Sequence, residues 1–204
     1  MSDNLKIVLA TRNEDKIREI GEILASLPVT LLSMADYPDI PEVVEDGATF
    51  LENARKKAET VHRHTGLASL ADDSGLEVEV LKGRPGIMSR RFAGPEATYA
   101  DNNELLMRHM KDMPQDARDA RFICVAALVT EAGEAHFTEG ELRGYIAESP
   151  AGEGGFGYDP LFFLPEYGRT VAELDPALKN EISHRAKAMS AMRRVIESLL
   201  GAGS

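Results

Sequence analysis

Apolar positions along this chain alternate between short runs and a spacing of three and four. LKIVLA (5–10) is an apolar run ending in a turn, which predicts a buried strand. After it, Asn13 can cap a helix whose Ile17, Ile20, Leu24 and Leu27 recur at helical intervals. VTLLS (29–33) predicts a second strand, followed by a loop rich in proline and acid from Asp36 to Asp46. Thr49 with Glu52 reads as a capping box that opens a helix to about His64. Beyond Gly66, ADDSG (71–75) stands where an apolar strand gives way to a glycine turn, and LEVEVL (76–81) alternates as a half-exposed strand does. Residues 98–111 predict a helix, and 121–147 a hairpin turning at Ala132 and Gly133. Asp175 as N-cap and Pro176 at the first helical position open a helix, or a broken pair of helices, to about Leu200. Strands interleaved with helices and one long hairpin predict an α/β fold, a long mixed sheet flanked by helices.

Composition narrows the class. A chain of 204 residues that is 43% hydrophobic can bury one sizeable core, so a single domain over 1–204 is expected. No apolar stretch approaches the roughly 18 residues of a membrane span, which predicts a soluble, unexported, cytoplasmic protein with no membrane partner. The formal charge is −11 and no block of lysine or arginine interrupts it, which argues against a nucleic-acid surface. A phosphate-bearing partner would have to be held locally, with a metal. The one cysteine, Cys124, lies in the apolar run ICVAALV and reads as a buried, inert thiol. His62 and His64 sit at a polar helix end and read as solvated.

Several residues break the local rules. GEGGFGYDP (152–160) spells G-x-G-x-x-G, but a dinucleotide fingerprint must open a helix, and Pro160 and Pro165 leave room only for a strand or tight loop. The glycines remain readable as a plain surface loop or as a ligand loop with Phe156 as a stacking ring. Glu14 and Asp15 suit the positive end of the first helix, whereas Lys16 opposes it, and either docks an anion there or pairs with Glu14 or Glu19. Lys57 falls on the apolar stripe of Phe50, Ala54 and Val61, where it must snorkel or find an anion, and Lys56 points away. Arg185 repeats the theme beside Leu178, Ile182 and Met189. Asp72 and Asp73 either bind a cation or cap a turn, on opposite sides if strand geometry persists; Glu42, Glu45 and Asp46 are further oxygen ligands for a hard cation such as Mg²⁺.

The set ATRNEDK (10–16), EDGATFLENARKKA (45–58), ADDSG, GRPGIMSRRFAG (83–94), GEGGFGYDP, Lys179 and SHR (183–185) resembles the inosine triphosphate pyrophosphatase family, the bacterial XTP/dITP diphosphatases, from Lys6 to about Leu200. That resemblance implies hydrolysis of the non-standard purine triphosphates ITP, dITP and XTP, a Mg²⁺ requirement, a homodimer, and two lobes with an active-site cleft between them. It assigns Thr11, Arg12, Asn13, Glu14, Asp15 and Lys16 to a phosphate-binding first loop, Lys57 to the triphosphate, and Asp73 to catalysis and metal. Ser74 resembles a substrate-contacting serine and Glu45 a metal-associated glutamate. Phe156, Gly157, Tyr158 and Asp159 resemble the base-binding loop, completed by Lys179, His184 and Arg185.

Overall fold

The computed structural model describes residues 4–202. Strand β1 (Leu5–Leu9) leads into helix α1 (Glu14–Leu24), then β2 (Val29–Ser33), α2 (Phe50–Thr65) and β3 (Ala68–Val78). Helix α3 (Tyr99–Met110) precedes the hairpin of β4 (Asp119–Val129) and β5 (Ala135–Ile146), and the chain ends in β6 (Phe162–Leu164), β7 (Arg169–Thr170), α4 (Pro176–Ile182) and α5 (His184–Ala202). The strands form one mixed sheet in the order β2-β1-β3-β4-β5-β6-β7, parallel at β1–β2 and β1–β3 and antiparallel at β5–β6 and β6–β7. The α/β expectation holds. Among the described residues no helix is long and apolar enough to cross a membrane.

The chain divides into two compact units. The first comprises the residues up to Asp73, Cys124–Gly140 and those from Arg185 onward; the second comprises Ser74–Ile123 and Glu141–His184. In the first, Ile20 and Leu24 of α1 meet Ile7 and Leu9 of β1, Leu70 of β3 and Met189 and Met192 of α5. Burying each such side chain contributes roughly 1.5–3 kcal/mol. This packing fixes α1 against β3, because β1 carries both neighbours: Leu9 pairs with Leu70 in the parallel ladder. In the second unit, Leu76, Leu106, Met110, Phe122, Ile146, Tyr158, Leu161 and Phe162 form the core.

Three local expectations need correction. ADDSG is not a turn: β3 runs unbroken from Ala68 to Val78, and Glu79–Leu81 of LEVEVL is a 3-10 turn. Two adjacent acids and a glycine are turn chemistry in isolation, but here both acids are satisfied by cations, and the ladder continues through them. Thr49 caps α2 by accepting from Glu52 N–H, yet Glu52 reaches back to the Ala48 N–H at 2.6 Å, so the capping box closes one residue early. Leu178 and Ile182 do not share a helix with Arg185, since the chain breaks at Ser183 between α4 and α5. The glycine-rich stretch leads into a 3-10 turn (Asp159–Leu161) and β6, so no helix follows it and the dinucleotide reading is closed.

Candidate active site

The first unit gathers its polar residues where β1 hands over to α1. Thr11 Oγ1 accepts from Asn13 N–H at 3.2 Å, and Asn13 Oδ1 accepts from the N–H groups of Asp15 and Lys16 at 2.9 and 3.2 Å. That cap starts the helix so that Lys16 reaches β3, where its ammonium lies 2.9 Å from Asp72 Oδ2. The anion at this helix end is therefore one of the protein's own carboxylates. Glu14 points to solvent, Asp15 pairs with Arg18 at 2.7 Å, and the exposed Arg12 donates to the Ile40 carbonyl at 3.5 Å.

Alternation along β3 sends its two acids to different partners. Asp72, 1% exposed, receives Lys16 and Arg185, whose Nη2 lies 3.3 Å away, and Cys124 Sγ stands 3.8 Å from the same oxygen. Arg185 also bonds Glu19 at 2.6 Å. Burial works against its charge, but Asp72, Cys124 and Glu19 outweigh that and hold its pKa above the ordinary arginine value. Asp73 takes Lys57 Nζ at 2.9 Å and Asn53 Nδ2 at 3.3 Å. Asn53 and Lys57 stand four apart on the buried face of α2, so one helix surface supplies both donors. Lys57 is the lysine that found an anion: its Nζ also lies 3.2 Å from Glu45, while Lys56 faces outward to Asp46.

The loop bearing Glu45 is fixed by the same asparagine, whose Oδ1 accepts from Gly47 N–H at 2.8 Å. A Cβ at Gly47 would sit 2.7 Å from that oxygen, so a side chain there would drive the loop off α2. Burial raises the Asp73 carboxyl above the usual aspartate range, with Lys57 opposing the rise. The Lys57 ammonium is also raised: burial alone would lower it, and the charges of Asp73, Glu45 and Asp72 prevail.

In the second unit, the predicted base loop folds around Asp159. Its Oδ2 accepts from Phe156 N–H at 2.9 Å and lies 2.8 Å from Lys179 Nζ on α4. Gly155 has φ +69°, and a Cβ there would lie 2.1 Å from the same oxygen, which accounts for one of the glycines. The Phe156 ring has the Lys179 ammonium 4.6 Å from its centroid and the Tyr99 ring at 6.0 Å. The Gly157 carbonyl accepts from Asn103 Nδ2 at 2.9 Å. Tyr158 turns into the core and donates its hydroxyl to the Ser89 carbonyl at 2.8 Å; burial raises its phenol far above the usual value. His184 is buried and stacks on Phe122 with centroids 4.7 Å apart. Ser74 is half-buried on β3, directly after Asp73.

Sequence reasoning missed Asn53, Asn103, Tyr99 and the partnership of Glu19 with Arg185. For Asn53 a signal existed, since it stands one helical turn before the anomalous Lys57. Glu19 carried none, because an acid near Lys16 on a helix reads as its ordinary partner.

Fold and site define a mixed-sheet α/β protein with lysine-held buried aspartates in one unit and an aromatic loop pinned by an aspartate and a lysine in the other. The Ham1 family matches residues 7–195, and the chain belongs to that family. A dITP/XTP pyrophosphatase from Geobacter sulfurreducens is 50% identical over 188 residues, covering 92% of this chain and 94% of the relative. One from Desulforamulus reducens is 47% identical over 195 residues, 96% and 97% of the two chains. A solved HAM1 protein from Coxiella burnetii superposes with a TM-score of 0.87 at 40% identity, covering 95% of this chain and 99% of that one. The family read from the motifs agrees with these matches.

Proposed function

We propose that this chain is a hydrolase that cleaves dITP, ITP and XTP to the nucleoside monophosphate and pyrophosphate, working as one catalytic domain in the cytoplasm and as a homodimer. Relatives of this similarity are dITP/XTP pyrophosphatases. The observation that carries the reading is the convergence of Asp73 and Glu45 on the buried Lys57 ammonium, at 2.9 and 3.2 Å.

The first unit handles the triphosphate and the second the purine. Among the described residues no three or more His, Cys, Asp or Glu side chains are grouped to hold a metal ion. A pair of carboxylates nevertheless fits Mg²⁺, which takes one or two and completes its shell with waters and substrate phosphates. Glu45 and Asp73 would hold it, and its chemistry there is to neutralise triphosphate charge. Asp73 takes the proton of the attacking water, a role suited to a carboxyl raised by burial. The water oxygen bonds to the α-phosphorus as the bond from that phosphorus to the bridging oxygen breaks, and pyrophosphate leaves. Lys16, Lys57 and Arg185 supply the positive charge that stabilises it, with Thr11, Arg12, Asn13, Glu14 and Asp15 forming the loop and first turn it approaches. Ser74 contacts substrate beside Asp73. Phe156 stacks on the purine, within the loop Phe156–Asp159. Lys179 and His184 donate toward the 6-oxo group, so adenine, with an amino group there, leaves donors unmatched.

Pyrophosphate release across a nucleoside triphosphate panel, with and without Mg²⁺, tests the reading. Turnover of dITP and XTP well above ATP, dependent on the metal, is the expected result. Equal turnover of ATP and dITP rejects the specificity, and nucleotide binding without turnover makes the protein a sensor instead.

A further inference from the structure

Helix α3 carries two adjacent asparagines that clamp two different loops of the second unit. Asn102, 2% exposed, accepts from Ala93 N–H at 2.8 Å and donates to the Arg90 carbonyl at 3.1 Å. Asn103 donates instead to the carbonyl of Gly157, whose φ of +64° turns the chain directly after Phe156. The Oδ1 of Asn103 is buried and takes no hydrogen bond among the described residues, so the polar role of this side chain falls on its Nδ2. One helical turn earlier on the same face, Tyr99 sets its ring 6.0 Å from that of Phe156 and carries the Arg90 guanidinium 5.4 Å from its own centroid.

Phe156 is thus bounded by contacts of different kinds. Asp159 holds its backbone N–H, Lys179 lies over its ring, and α3 supplies both an aromatic neighbour and a bond to the next peptide. A stacking ring presents a flat face only if it is held before the ligand arrives, because ordering it at binding subtracts from affinity. The first two restraints come from residues already assigned to the base pocket. Those from α3 do not.

We infer that Asn103, with Tyr99 one turn before it, is a positioning residue that fixes Phe156 for purine stacking and so sets affinity for the base, not for the phosphates. This rests on the proposed reading of Phe156 as the base-stacking ring. Asn103→Leu tests it, since leucine keeps the branched shape of four side-chain heavy atoms, is at least as good a helix former, and removes the amide with its donor. Calorimetric titration with inosine monophosphate and, separately, inorganic tripolyphosphate reads base and phosphate affinity apart. The expected result is inosine monophosphate binding about tenfold weaker, with tripolyphosphate affinity held and the melting temperature lowered by no more than the few degrees that one lost hydrogen bond costs. Tyr99→Leu is expected to shift binding the same way. Inosine monophosphate affinity like that of the wild type overturns the inference, as does equal weakening toward both ligands. A wild-type protein that binds inosine monophosphate but releases no pyrophosphate from dITP defeats the functional reading and leaves this inference to the variants' affinities; wild type that binds none overturns both.

Discussion

At the scale of single residues, the site depends on charges that are individually unfavourable to bury and tolerable only in company. Asp73→Asn keeps the shape and the Asn53 contact but removes the proposed proton acceptor, so kcat for dITP is expected to fall by about a thousandfold; pyrophosphate release at saturating substrate checks this. Arg185 answers to stability as well. Replacing it with methionine withdraws the bond to Glu19 and the contact to Asp72, both deep in the first unit, at a cost of about 3–5 kcal/mol in denaturant unfolding. Lys16 and Lys57 were legible because each broke a local rule, a lysine at a positive helix end and a lysine on an apolar stripe, whereas Arg185 was picked out on a helix face shared with Leu178 and Ile182 that the break at Ser183 removes. Their partners were less so. Asp72 and Asp73 announced themselves as a pair, whereas which cation each would take depends on the register of β3 against β1 and on where α5 passes, and neither is written locally.

Elements were legible to the degree that their periodicity was uninterrupted. Helices α1, α2 and α3 and the β4–β5 hairpin follow directly from spacing and caps. β3 was cut short because Gly75 and two acids imitate a turn, and only the tertiary cations show why the strand continues. The glycine loop was recognisable as special, and not as rigid. Gly155→Ala forces a left-handed backbone on an L side chain and presses a Cβ onto Asp159 Oδ2, strain of about 1–3 kcal/mol. The expected outcome is a raised KM for dITP with kcat largely kept, since Phe156 and Lys179 both depend on that oxygen. Tyr158 gives the loop a pH signature. Burial keeps its phenol protonated while an unfolded tyrosine ionises near pH ~10, so the folded state binds more protons above that point and stability falls as pH rises. Tyr158→Phe loses the Ser89 bond, about 1 kcal/mol near neutrality, and its deficit shrinks above pH about 10, as thermal melts across the range will show.

For the molecule as a whole, an acidic protein of formal charge −11 is assigned a polyanionic substrate. The resolution is local: Lys16, Lys57 and Arg185 are concentrated where β1, β3, α1, α2 and α5 meet, so the proposed triphosphate contacts do not depend on the net charge. Chelation of Mg²⁺ is therefore expected to abolish pyrophosphate release from dITP and to leave the circular dichroism spectrum unchanged, since the described carboxylates are already partnered by lysine. Loss of helical signal on chelation would make the metal structural. Family membership was legible from the motifs. Two lobes were implied by the resemblance, but where the chain divides into its two compact units was not legible, because three strands run through both and no linker marks the boundary.

The ladder between β1 and β3 pairs Ile7 with Ala68 and Leu9 with Leu70. Because successive side chains on a strand face opposite ways, sliding β3 by one position would turn Asp73 off the face of Lys57 and Asp72 off the face of Lys16 and Arg185. The same slip would turn the apolar side chains of β3 off their faces as well, so the packing that holds Leu70 beside Leu9 also determines which of two chemically identical acids meets Lys57.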